Sequence, residues 1–326
     1  MPQATHSAYS TEVITDLNNL AFLQGAMRVW DMAPMLAFLI VTAIIGNRAG
    51  LDVTEKGSLA QIVACTISLP LIVLLGKHLK NRPALHERVE EGKSIITVGI
   101  QQLLSTFKMM RTKYPEAAKF LLGLAFFESA SISLIQLFTT YLKSAVKVND
   151  PVGYIVIALV CTVPGSISVS HITKRIGVKL TLQIVLFAMM LTTCVVCAFI
   201  YGPSVTPILP LLSIIYGFTL GSVQPIQRTF YLLIVPSGSE AEMFGIYIFF
   251  GQVINFLPNL IFSFINEKLN SVRLGMLSLA IFHGIGLIIV TTVDFKRARA
   301  DASVNEHLRI KSLQLKSGEV GILSTK

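Results

Sequence analysis

Eight stretches of the chain are apolar for roughly as long as a helix needs to cross a bilayer, about 20 residues. They run over 29–46, 58–76, 117–141, 152–171, 180–201, 207–230, 241–265 and 273–293. The first of them carries Asp31 and Pro34 near its start. Charged residues make up 14% of the 326 residues, where a soluble domain carries about a quarter. This pattern leaves one fold class, an all-α membrane protein with about eight transmembrane helices. The four cysteines, Cys65, Cys161, Cys194 and Cys197, all lie inside apolar runs without the spacing of a metal site, and read as packing residues. Residues 1–19 are polar and hold acids, so no cleavable signal peptide is expected there.

The net charge of +9 is distributed between the apolar stretches, which excludes a nucleic-acid footprint. Segment 77–119 holds nine lysines and arginines, loop 172–179 holds Lys174, Arg175 and Lys179, and the tail from 294 holds seven. The loops that would face the other way hold six in all: Arg48, Lys56, Lys143, Lys147, Lys268 and Arg273. Positive charge accumulates on the cytosolic side of membrane proteins. The bias therefore predicts both termini in the cytosol, and an even number of spans agrees.

The organisation that follows has five parts. Residues 1–28 form an N-terminal cytosolic segment, 29–76 two helices, 77–116 a basic cytosolic linker, 117–294 six helices and 295–326 a polar, disordered cytosolic tail. Within the linker, Ile96, Ile100, Leu103, Leu104 and Phe107 recur at helical spacing. They predict an amphipathic helix lying on the membrane surface, with a plain solvated linker as the alternative. Transporters of the major facilitator type join two six-helix halves by such a linker, and this layout looks like one without its first four helices.

One stretch carries more than generic information. Residues 216–247 read YGFTLGSVQPIQRTFYLLIVPSGSEAEMFGIY. Its Arg228, Pro236, Gly238, Glu240, Glu242, Phe244, Gly245 and Tyr247 resemble the signature of the Atg22 family, the UMF1-like branch of the major facilitator superfamily. Gly251, Pro258 and the Arg273–Gly275 pair are also similar to that family. So is the helix FLLGLAFFESASISLI after Lys113-Tyr-Pro. Where the family has Tyr-x-Asp-Gly, this chain has Phe127, Glu128, Ser129 and Ala130, so the acid is kept while the phenol and the glycine are not. The loop HITKRIGVK resembles the facilitators' loop between helices but lacks an aspartate before Lys174. The resemblance covers 110–295 well and 29–76 loosely. It implies a facilitator fold and, by the fungal members, export of amino acids from a vacuole.

Polar residues inside the spans are the candidate site. Glu128 is the one carboxylate well inside a span of the six-helix block. Intramembrane acids mark proton relays and cation sites, so Glu128 is the candidate for proton coupling or for a substrate ammonium. Gln136 lies eight residues on, near the same face. Gln252, Asn255 and Asn259 form a stripe at i, i+3 and i+7 that could bind a zwitterion or join neighbouring helices. Gln224 and Arg228 share a face. With Glu240 and Glu242 across the turn they would form a cytosolic gate, a salt bridge made in one access state and broken in the other, or else a static anchor. Gly217, Gly221 and Pro225 read as a packing seam, and His283 as a packed neutral histidine.

The sequence holds no P-loop, metal-ligand cluster or nucleophile with a partner base, so neither an enzyme nor a cofactor is expected. The expected partners are the lipid bilayer and a small-molecule substrate, amino acids first, with proton coupling, no nucleic acid, and self-association if the chain is not a fragment. A vacuolar or lysosome-like membrane is favoured over the plasma membrane. The competing reading is a non-transporting scaffold or receptor derived from a transporter.

Overall fold

The computed structural model describes residues 17–50, 53–78, 95–148, 151–235 and 240–302. The N-terminal residues before 17, the KNRPALHERVEEGK segment of the linker, the turn with Pro236 and Gly238, and the tail from 303 lie outside them. Among the described residues eight helical segments are long and apolar enough to cross a membrane, as expected. The described residues form two compact units, one of residues 17–29 with 103–302 and one of residues 30–102.

Helix α1 covers Leu17–Arg48, with Pro34 inside it, and α2 covers Val53–His78, with Pro70 inside. The first span runs Leu20–Gly46. It therefore starts well before residue 29, because Leu20, Ala21, Phe22 and Leu23 continue the apolar run on the near side of Arg28. The segment expected to be cytosolic up to residue 28 thus overlaps this candidate span. In the second unit, Ile62, Leu69 and Ile72 of α2 are exposed, as a lipid-facing surface requires.

Helix α3, Ile95–Lys113, is the expected linker helix. Its second half does not lie free on a surface. Met110 is buried, Phe107 stacks on Phe250 with ring centroids 5.9 Å apart, and the Thr106 hydroxyl hydrogen-bonds the Glu242 carboxylate.

The six-helix block follows: α4 Pro115–Tyr141, α5 Val152–Ile176, α6 Val178–Phe199, α7 Leu209–Leu232, α8 Glu240–Val253, α9 Phe256–Leu269 and α10 Val272–Thr292. Pro115 opens α4 where a missing N–H costs nothing. Gly177 turns α5 directly into α6 at φ +86°, a conformation that favours glycine. Helices α8 and α9 together form the one span expected over 241–265, but that span is broken. Pro258 cannot donate to the Ile254 carbonyl, and the backbone at Asn255 and Leu257 bonds three residues back instead of four. The stripe of Gln252, Asn255 and Asn259 thus crosses a break that resets the helical phase.

Two close seams hold the block. Along the first, a Cβ on Gly217 or Gly221 of α7 would collide with the carbonyl oxygens of Ala158 and Thr162 of α5. Hydroxyls cross the same seam both ways. Ser166 donates to the Gly221 carbonyl at 2.9 Å and Ser222 to the Gly165 carbonyl at 3.1 Å. Along the second, Gly286 of α10 lets the backbone of α4 approach, since a Cβ there would come within 2.8 Å of Phe127 Cβ. His283 of α10 is buried on this seam, with Nδ1 2.9 Å from the Leu279 carbonyl and Nε2 3.2 Å from Ser131 Oγ.

The packed block extends beyond residue 294. Residues 295–302 are helical, with Phe295 against Phe230 at 5.0 Å and Ala298 and Ala302 buried. The tail boundary expected at 294 therefore falls inside ordered structure. Asp294 caps this turn through the N–H groups of Lys296 and Arg297, and its own N–H donates to Glu116 at 2.7 Å. Lys179 Nζ closes the end of α10 on the carbonyls of Thr291 and Val293.

Candidate functional site

Glu128 sits on α4 between α7 and α8, 9% exposed. Each of its oxygens takes a different amide of α7. Gln224 Nε2 donates to Oε1 at 2.7 Å and Gln227 Nε2 to Oε2 at 2.8 Å. The two glutamines are three residues apart, which puts both on the face of α7 turned to α4. Helix α8 covers the group from the third side. Gly251 passes so close that an added Cβ would touch Glu128 Cγ at 3.5 Å. One turn earlier on α8, Tyr247 lies near Glu128, Gln227 and Arg228.

The Tyr247 hydroxyl and Gln227 Oε1 are enclosed together with Arg228 beside them, so the polar groups around Glu128 have one another as neighbours. Phe127 at Gly286 holds α4 against α10, which keeps Glu128 turned towards α7 and α8.

The other expected residues fall elsewhere. Gln136 is about 12 Å of helix rise beyond Glu128 and accepts from Asn259 Nδ2 at 3.0 Å. Asn255 Nδ2 reaches only Gln252 Oε1, at 3.4 Å. Asn255 Oδ1 and Asn259 Oδ1 are enclosed without partners. The amide groups thus form a second polar set at and beyond the helix break.

Of the gate set, Gln224 belongs with Glu128 rather than with the end of the helix. Arg228 lies beside Tyr247, and Glu242 is held by Thr106. Among the described residues Arg228 and Glu242 form no ion pair in this structure. Glu240 opens α8, and its side chain lies outside the described part.

Gln227, expected with Gln224 and Arg228 at the polar end of the helix, belongs with Glu128 instead. Two further polar residues, Tyr247 and Arg28, lay outside the expected site set. Tyr247 could have been found as the residue one turn before Gly251 on α8. Arg28 was lost when the first span was started at residue 29. It stands inside the span that runs Leu20–Gly46, with its Nε shut off from solvent.

Known proteins place this bundle. Residues 26–303 match the family described as "Vacuole effluxer Atg22 like". The chain belongs to that family. It is 26% identical over 241 residues to Autophagy-related protein 22 of Yarrowia lipolytica, covering 70% of this chain and 40% of that one. It is 22% identical over 211 residues to the uncharacterized MFS-type transporter YxiO of Bacillus subtilis, covering 64% and 48%. The chain thus spans less than half the length of these two relatives. Among solved structures, the E. coli fucose:proton symporter superposes with a TM-score of 0.57 at 14% identity, over 89% of this chain and 73% of that one. The fold of this Atg22-family chain is that of a major-facilitator-type transporter, and neither the family nor the fold is one of enzymes.

Proposed function

We propose that this Atg22-family chain forms part or all of a secondary transporter that exports small solutes, amino acids first, by alternating access. The observation that carries the reading is Glu128, a carboxylate inside a membrane span, held by two glutamine amides beside Tyr247 and Arg228. Intramembrane acids so placed serve substrate cations or protons, and the superposed fucose:proton symporter makes a proton the coupling ion to test first. The charge bias puts both termini in the cytosol, and the family description favours a vacuole-like membrane. Arg228 and Glu242, apart here, would pair in the other access state and close the cytosolic end.

The test is counterflow of labelled amino acids by the purified chain in liposomes. Uptake that a Glu128→Gln variant lowers tenfold or more, with its melting temperature kept, supports the reading. A folded chain that moves none of them points to the scaffold or receptor.

A further inference from the structure

Where the linker helix α3 meets the membrane block it leaves a groove. Phe107 and Arg111 of α3, Leu121 and Leu122 of α4 and Phe250 of α8 line it. All of them belong to one compact unit, residues 17–29 with 103–302. A volume of about 220 Å³ admits a run of methylenes rather than a lone water, whose share of the liquid is about 30 Å³. Phe107 and Leu122 are about half exposed, so the groove opens outward.

Its two ends differ in chemistry. The inner end is apolar. Leu122 lies seven residues along α4 from Pro115, about 10 Å of rise inward from the joint between α3 and α4. The mouth is basic. Arg111 stands there in the last turn of α3, with Lys108 three residues before it on the same face. Both side chains are exposed, and among the described residues neither has a hydrogen-bond or ion-pair partner. Two carboxylates at the starts of the neighbouring helices are engaged elsewhere. Glu116 is buried against Lys119 and the Asp294 N–H, and Glu242 is held by Thr106.

The geometry points to a site for an anionic phospholipid, with its acyl chain in the groove and its phosphate on Arg111. A guanidinium meets a phosphate through two parallel N–H donors. Lys108 adds a second cation, and basic residues at the membrane surface favour anionic over zwitterionic lipid. A zwitterionic headgroup would bring a cation of its own to the same mouth. The occupied groove ties three helices together. Its acyl chain lies along both rings of the Phe107–Phe250 stack, so the lipid holds the linker helix onto α8 and α4.

Quenching of tryptophan fluorescence by brominated lipids tests this on the full chain in vesicles. Trp30, the single tryptophan, is replaced by phenylalanine. Phe107→Trp, or separately Leu122→Trp, then puts a reporter in the groove wall. Ile184→Trp in the same background reports an exposed position six residues into α6, whose start lies at the same end of the block. The vesicles hold phosphatidylcholine with either brominated phosphatidylglycerol or brominated phosphatidylcholine. At both groove positions phosphatidylglycerol outcompetes phosphatidylcholine by about fivefold or more, the scale set by one cation at an anionic lipid surface. At position 184 the two lipids quench alike. Arg111→Gln brings the groove positions to parity, and Arg111→Lys keeps part of the preference. An equal preference at all three positions reports surface charge alone and overturns the site. A groove preference that survives Arg111→Gln, or the lack of one in the parent chain, overturns it too. So does quenching by neither lipid at the groove positions, which would put protein in the groove instead of lipid.

Discussion

Glu128 shows how far a single residue can be read from sequence. Its presence inside an apolar run was enough to nominate it, because an acid there needs a reason. Its partners were not legible. Gln224 shares a helical face with Arg228 as well as with Gln227, and only the packing of α7 on α4 selects which neighbour matters. The glycines of α7 were legible as a seam from spacing alone, and the structure supplies the tolerance. At Gly221 even one methyl meets the Thr162 backbone, which cannot swing aside as a side chain would. Gly221→Ala is expected to destabilise the chain by about 1–3 kcal/mol, the usual range for overpacking. Gly153→Ala, with open space around it, should change little. Thermal melts of the two variants in detergent check the pair, and an equal effect would remove the seam as the cause.

At the level of elements, the number of spans was legible and their ends were less so. Helix α1 is already helical at Leu17, because its apolar run continues on the near side of Arg28, where Leu20 and Ala21 are buried. The break between α8 and α9 hid for a different reason: composition stays apolar through it, and only the missing donor at Pro258 marks it. The linker helix was visible from periodicity, yet its partner was not. Thr106 and Glu242 are 136 residues apart in sequence and in contact in space. Cysteines at these two positions, in a chain with its four native cysteines replaced, should cross-link on mild oxidation. If α8 must leave α3 during transport, the cross-link stops counterflow and a reductant restores it. Full counterflow in the cross-linked chain would show that the α3–α8 contact persists through the cycle.

For the whole molecule, the strongest expectation that structure alone leaves open is its orientation. Lys174 and Arg175 close the end of α5, while Lys268 closes α9 at the other end of the bundle. Single cysteines at 174 and 268 should label from opposite sides with a membrane-impermeant maleimide, and position 174 should react only from the cytosol. Labelling of both from one side would break the topology. The α5–α7 seam has a mechanical consequence as well. With hydroxyls exchanged across it and no room for a methyl, this pair behaves as a stiff beam. A cycle that opens one end and then the other must find its compliance elsewhere, and the interrupted ladder at Ile254 and Asn255 offers one such joint. Motion concentrated there would swing Gly251 and Tyr247 over Glu128 like a shutter, so the grip on a passenger and the direction of the doorway would be set by one small bend.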